Sequence, residues 1–178
     1  ATQIGKNLLL PKKHSMKILG IGNAIVDVIC KVDDNFINQN DLTKSTMKLF
    51  FDQKEFRSLL TNLKIEKTVS GGSVANSIVG LSQLGNKVGF IGKVSNDEFG
   101  DKYEEGLKKE NVEYFYSKKK EELPTGTCLI LVTPDSERTM CTFLGTAGKI
   151  NENDIDPDIV KSAEITFLEG YLWDEGDP

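Results

Sequence analysis

From Lys17 onward, apolar positions alternate between short runs of β-branched residues and helical spacing. KILGIG and IVDVICKV are two Ile/Val-rich segments joined near Gly22 and Asn23, and they read as strands that begin a core. Residues 34–40 read as a short helical turn and TMKLFF as an exposed strand. Asp52 is placed to cap an amphipathic helix running through Leu63, with Phe56, Leu59, Leu60 and Leu63 on one face.

The stretch VSGGSVANSIVGLSQLGN predicts a helix over Ser73–Leu84, with Ser73 as its N-cap and Gly85 just past its end. KVGFIGKV follows as a strand, NDEFGDKYEEGLKKEN as a helix and VEYFYS as a strand. This alternation predicts a parallel, helix-covered sheet. The rhythm then changes: TGTCLILVT and RTMCTFLGTA are strand-like runs joined by PDSE with no helix between, the pattern of a hairpin. With TMKLFF this hairpin is expected to form a small antiparallel sheet standing off the main one. Asp154–Lys161 returns as a helix leading into ITFLEGYLW, read as a buried, central parallel strand.

Composition narrows the class. The 178 residues are 38% apolar and 28% charged, ordinary for a globular protein with one core. A net charge of -5 argues against a general nucleic-acid surface, and the lone basic run, Lys118–Lys120, meets Glu121 and Glu122 at once. No apolar run approaches the roughly 20 residues that span a bilayer, so no membrane partner is expected and the cytoplasm is the expected location. Cys30, Cys128 and Cys141 lie in apolar segments without metal-ligand spacing and read as reduced core residues. The single histidine, His14, precludes a His-based triad or a zinc site. Residues 1–15 read as an extension or cloning remnant ahead of the fold, which occupies 16–178.

Against this background a few residues stand out. Asp27 interrupts the apolar run of its strand, and a buried carboxylate must be hydrogen-bonded: either by backbone amides at the strand end or by hydroxyl groups of a ligand. Gly71 and Gly72 open the next helix and permit close backbone approach. Asn76, one turn in, either faces what the glycines leave room for or is an ordinary interior Asn. Arg138, at the entrance to the second hairpin strand, is either a solvated turn residue or a guanidinium within reach of a phosphoryl group. Met140, Thr142 and Leu144 share one face of that strand, which either covers a ligand or packs on the main domain. Two nucleotide-binding patterns fail: Ile25 occupies the third glycine position of GxGxxG, and Gly92-Lys93 lacks the Ser or Thr of a P-loop.

Taken together, GIGNAIVDV, SGGSVANSIVGLSQLG, FIGKVSNDEFG, LILVTPDSERTMCTFLG and LEGYLWD resemble the ribokinase (PfkB-type) family of sugar and nucleoside kinases, from Met16 to Pro178. The wording is most similar to bacterial adenosine kinases. The resemblance implies a ribokinase-like α/β fold, its mostly parallel sheet flanked by helices, with a small β-sheet lid whose strands lie near 44–51 and 126–147. It implies ATP-dependent phosphorylation of a nucleoside 5′-hydroxyl, with Mg2+ as cofactor. Asp27, Gly71, Gly72 and Asn76 would surround the ribose, with Asn23 near the nucleoside. Arg138 would approach the transferred phosphoryl, and Met140, Thr142, Leu144 and Leu172 would flank the base. A free-sugar kinase of ribokinase or fructokinase type, or a nucleoside-binding module without transfer activity, are the alternatives. The family's GAGD segment, which carries the catalytic base and the anion hole, does not occur in these 178 residues, nor does its NxxE segment. Val74, Ile78 and Ser95 also replace smaller residues common in the family.

Overall fold

In the computed structural model, residues 16–173 are described; the extension read at 1–15 lies outside them. The chain opens with β1 (Met16–Ile21) and β2 (Ile25–Lys31), followed by α1 (Asp34–Gln39), β3 (Met47–Phe50), α2 (Gln53–Thr61) and β4 (Ile65–Gly71). Then come α3 (Ser73–Gln83), β5 (Val88–Ile91), α4 (Glu98–Lys109), β6 (Glu113–Tyr114), β7 (Gly126–Val132), β8 (Arg138–Phe143), α5 (Pro157–Ser162) and β9 (Ala163–Leu168). The strands make two sheets: a four-stranded one in the order β6-β5-β1-β9, and a five-stranded one in the order β3-β8-β7-β2-β4.

The first sheet is parallel throughout. Parallel neighbours need crossovers, and the amphipathic helices α3 and α4 supply them. Val74, Ala75 and Ile78 of α3 and Tyr103 and Leu107 of α4 join one core with Val88 and Phe90. Met16, Leu19, Ile21, Ile91, Ile150 and Leu172 form a second core on which α5 packs through Ile159 and Val160. Asp52 and Asp97 accept hydrogen bonds from Glu55 N and Gly100 N, both at 2.8 Å, capping α2 and α4.

The second sheet departs from the expected small antiparallel unit. The hairpin β7–β8 is present and antiparallel, but β2 joins it in parallel with β7, β3 lies parallel to β8, and β4 closes the far edge antiparallel to β2. Strand β2 therefore leaves the first sheet at once, at Gly22–Ala24, while Val26, Val28 and Cys30 stay in the core that the first sheet shares with α3 and α4. The sequence reading had no strand over 65–71, because Ile65, Glu66, Lys67 and Thr68 carry little apolar signal on this exposed edge. The run read as strand to Ala147 stops at Phe143, and residues Gly145–Lys149 form a 3-10 turn.

Two other expectations are corrected. Gly72, not Ser73, is the N-cap of α3 and supplies no side-chain bond. Strand β9 is an edge strand among the described residues, and Ile165, Phe167 and Leu168 are exposed, because no described element covers them. The three cysteines are free and buried, as expected. Among the described residues no helix is long and apolar enough to cross a membrane.

Candidate functional site

The site grows from the alternation of β2. Val26, Val28 and Cys30 turn into the helix-covered core, which puts Ile25, Asp27 and Ile29 on the opposite face of the second sheet. Register extends that face across every strand: Leu49, Thr142, Cys128, Asp27 and Val69 stand side by side. Met47, Met140, Ile130 and Ile29 form the next row. Asp27 is thus the one carboxylate in a mostly apolar row. Burial pushes its pKa from 3.8 up to about 6, and among the described residues no hydrogen bond or ion pair counters the shift.

The glycine pair lies against this carboxylate, and each glycine is required by a close approach. A Cβ on Gly71 would stand 2.4 Å from Asp27 Oδ2. Gly72 has φ +102°, and a Cβ there would stand 2.3 Å from the Asn23 carbonyl oxygen. The space the glycines leave is therefore filled by the protein's own Asp27 and Asn23, so the pair draws the start of α3 onto the β1–β2 connection. Asn23 is 6% exposed, and its Oδ1 is buried with no hydrogen-bond partner. A buried acceptor without a partner among the described residues can take a donor from water or a ligand.

Glu169 completes the cluster and is a residue the sequence reading missed. It is 6% exposed, accepts the Asn23 N–H at 2.5 Å through Oε1, and accepts the Ser73 hydroxyl through Oε2. The signal for it was an acidic residue just past the end of an apolar parallel strand, where open α/β sheets gather ligand-binding groups. In the sequence it is hidden inside LEGYLW, read as one continuous strand. Its two bonds tie the end of β9 to both the β1–β2 connection and the first residue of α3.

Of the other expected site residues, Met140 and Thr142 share the Asp27 face, and Thr142 Oγ1 lies 3.3 Å from Cys128 Sγ. Leu144 packs with Ile25, Cys128 and Ala147 at the margin of that face. Arg138 is exposed at the hairpin end of β8, opposite Val132 and four strand pairs along from the Thr142–Cys128 pair. Asn76 is exposed and lines a groove of ≈ 410 Å³ together with Thr68, Ser70, Lys102 and Glu105, between the edge of β4 and helices α3 and α4; Asp27 is not among its lining residues. Leu172 is not brought to the Asp27 face, because it is buried in the second core with Met16 and Ile91. The structure thus gathers Asn23, Asp27, Gly71, Gly72 and Glu169, flanked by Thr142 and Leu144.

Chemically this arrangement accepts hydrogen bonds. Among the described residues neither Asp27 nor Asn23 Oδ1 has a donor, and both suit hydroxyl groups. Among the described residues no three His, Cys, Asp or Glu side chains converge as metal ligands.

Comparison with known proteins gives the family. A 5-dehydro-2-deoxygluconokinase from Mesomycoplasma hyopneumoniae (strain 232) is 30% identical over 122 residues, covering 67% of this chain and 36% of that protein. The crystal structure of a probable sugar kinase from Rhizobium etli CFN 42 matches with a TM-score of 0.80 at 35% identity, over 90% of this chain and 48% of that one. Adenosine kinase from Sinorhizobium meliloti matches with a TM-score of 0.80 at 33% identity, over 90% of this chain and 49% of that one. The chain spans about half the length of these solved structures and about a third of the curated relative. The family model described as pfkB family carbohydrate kinase matches residues 17–178. With one parallel and one mixed sheet, a backbone that matches those kinases at a TM-score of 0.80 and a family match over residues 17–178, this chain belongs to the pfkB family of carbohydrate kinases.

Proposed function

We propose that this chain forms the acceptor-binding part of a cytoplasmic, ATP-dependent kinase that phosphorylates the 5′-hydroxyl of a nucleoside, with adenosine the favoured substrate. One observation carries the reading: the Asp27 carboxylate is partly buried on an apolar sheet face, touches Gly71, and has no partner to offset its desolvation. A carboxylate offers two acceptor oxygens side by side, and a vicinal diol offers two donors at matching spacing. Hydroxyl donors from a ribose would restore to Asp27 what burial removes. Asn23 Oδ1 would accept a further hydroxyl.

The rest of the face suits a flat heteroaromatic base. Ile29, Ile130, Leu49 and Met140 give it apolar cover, and the second sheet acts as the lid. Such cover holds the acceptor in place and keeps out water that would compete for the phosphoryl group. ATP is the phosphoryl donor in this reading, with Mg2+ as its counter-ion, and Arg138 is the chain's candidate for meeting the transferred group. The similarity to the Sinorhizobium meliloti adenosine kinase favours the nucleoside. The similarity to the 5-dehydro-2-deoxygluconokinase favours a second reading, a free sugar or sugar acid held by the same diol clamp.

A phosphoryl-acceptor screen of the full-length protein with ATP and Mg2+ tests the proposal. Adenosine is expected to be turned over with the highest kcat/KM among nucleosides, ribose, fructose and 5-dehydro-2-deoxygluconate. Preference for a free sugar would replace the substrate with the second reading, and absence of transfer to every acceptor would contradict the kinase.

A further inference from the structure

Helix α4 runs beneath the glycine pair, and its Tyr103 is fully buried between Phe90 and Tyr114, with ring centroids 6.2 and 6.1 Å away. In so apolar a setting Phe would fill the space equally well, and a phenol hydroxyl is costly unless it is bonded. Its partner is the Gly71 carbonyl oxygen, 3.2 Å away. The Tyr103 backbone makes a second link to the same turn, since its carbonyl accepts the Ser70 hydroxyl at 2.9 Å. The residue therefore grips the end of β4 at the point where the chain lies against Asp27 and Asn23.

The grip has a directional consequence. The peptide joining Gly71 to Gly72 is planar, so fixing the Gly71 carbonyl also fixes the Gly72 N–H, which points the opposite way. Glycine has no side chain to hold that plane, and two successive glycines leave it freer than any other pair. Tyr103 and Glu169 restrain this segment from its two ends, one through the Gly71 carbonyl and the other through the Ser73 hydroxyl.

We propose that the Tyr103 hydroxyl is a positioning residue for the acceptor site: it fixes the Gly71–Gly72 peptide against Asp27 and so sets acceptor affinity without touching the acceptor. The inference rests on the acceptor-site reading above. It assigns a functional role to a core residue of α4 that no feature of the helix pattern marks as anything but packing.

The test uses Tyr103→Phe, Ser70→Ala and Asp27→Asn in the full-length protein, measuring KM for acceptor and for ATP together with melting temperature. Tyr103→Phe is expected to raise the acceptor KM about tenfold, the equivalent of one ordinary hydrogen bond, and to leave the KM for ATP unchanged. Ser70→Ala loses a bond at the same turn but leaves the Gly71 carbonyl held, and is expected to lower the melting temperature without raising the acceptor KM. If Tyr103→Phe lowers the melting temperature while acceptor KM stays at the wild-type value, and Asp27→Asn has lost acceptor binding, the hydroxyl is structural and the inference is overturned. If Asp27→Asn retains acceptor binding, the underlying site assignment fails first.

Discussion

Asp27→Asn is expected to make the protein more stable at neutral pH while reducing acceptor affinity about a hundredfold or more. The two effects have one cause. Burial raises the carboxyl pKa from 3.8 to about 6 with nothing among the described residues to compensate. The folded state therefore binds this proton more tightly than the unfolded state. Asp27 contributes most favourably below about 3.8, that contribution declines as pH rises toward about 6, and above it the ionised group is a constant penalty. Because the group is partly solvated, the penalty is discounted for screening to about 1 kcal/mol. Asn has the same shape and escapes it, so the variant should melt higher at pH 7 and show no advantage at pH 4. Binding moves the other way, since hydrogen bonds to a charged acceptor are worth about 1.5–3 kcal/mol each and two hydroxyls are proposed to use it. Thermal melts at both pH values with acceptor titrations check both halves; a variant less stable at pH 7 would mark Asp27 as a structural carboxylate.

Gly72→Ala is expected to destabilise the fold by about 2–4 kcal/mol. At φ +102° any side chain is strained, and the added Cβ would stand 2.3 Å from the Asn23 carbonyl oxygen, which is backbone and cannot swing away. Relief requires the β1–β2 connection or the first turn of α3 to move. Both carry the site: Asn23 lies on one, and Ser73, bonded to Glu169, on the other. Acceptor binding should therefore fall with stability. Chemical denaturation compared with Gly80→Ala, where an added Cβ meets nothing within 4 Å, provides the reference. Equal midpoints for the two variants would show that the Gly72 approach is not a constraint.

Much of the fold was legible because its signals were local. Asp52 announced its helix, and reading Met140 and Thr142 onto one face of the second hairpin strand matches β8, where Thr139, Cys141 and Phe143 are buried on the other. The pairing of β2 was not legible. IVDVICK suits either sheet equally, and only the long-range register with Gly126–Val132 shows that it crosses into the second. Strand β4 was hidden for the opposite reason: an exposed edge needs little apolar content, so IEKTVSG gives no strand pattern.

The site divides in the same way. Asp27 could be picked out because a charge inside an apolar strand violates the local rule. The glycine pair could be picked out too, but not what it approaches, since Asn23 and Asp27 come within reach only through the fold. Glu169 lies 146 residues from Asn23, and no local pattern connects them. Helical spacing puts Asn76 one turn beyond Gly72, but that it lines a groove with Thr68, Val69 and Lys102 comes only from the fold.

The central claim is that the Asp27 carboxylate receives the acceptor's hydroxyls. Its most direct test is the affinity of the full-length protein for adenosine, 2′-deoxyadenosine and 3′-deoxyadenosine, measured for the wild type and for Asp27→Asn. In the wild type each missing hydroxyl is expected to weaken binding about tenfold or more, and in Asp27→Asn the three ligands should bind with nearly equal, low affinity. The same loss per hydroxyl in both proteins would contradict the claim, because it would place the hydroxyl contacts away from Asp27.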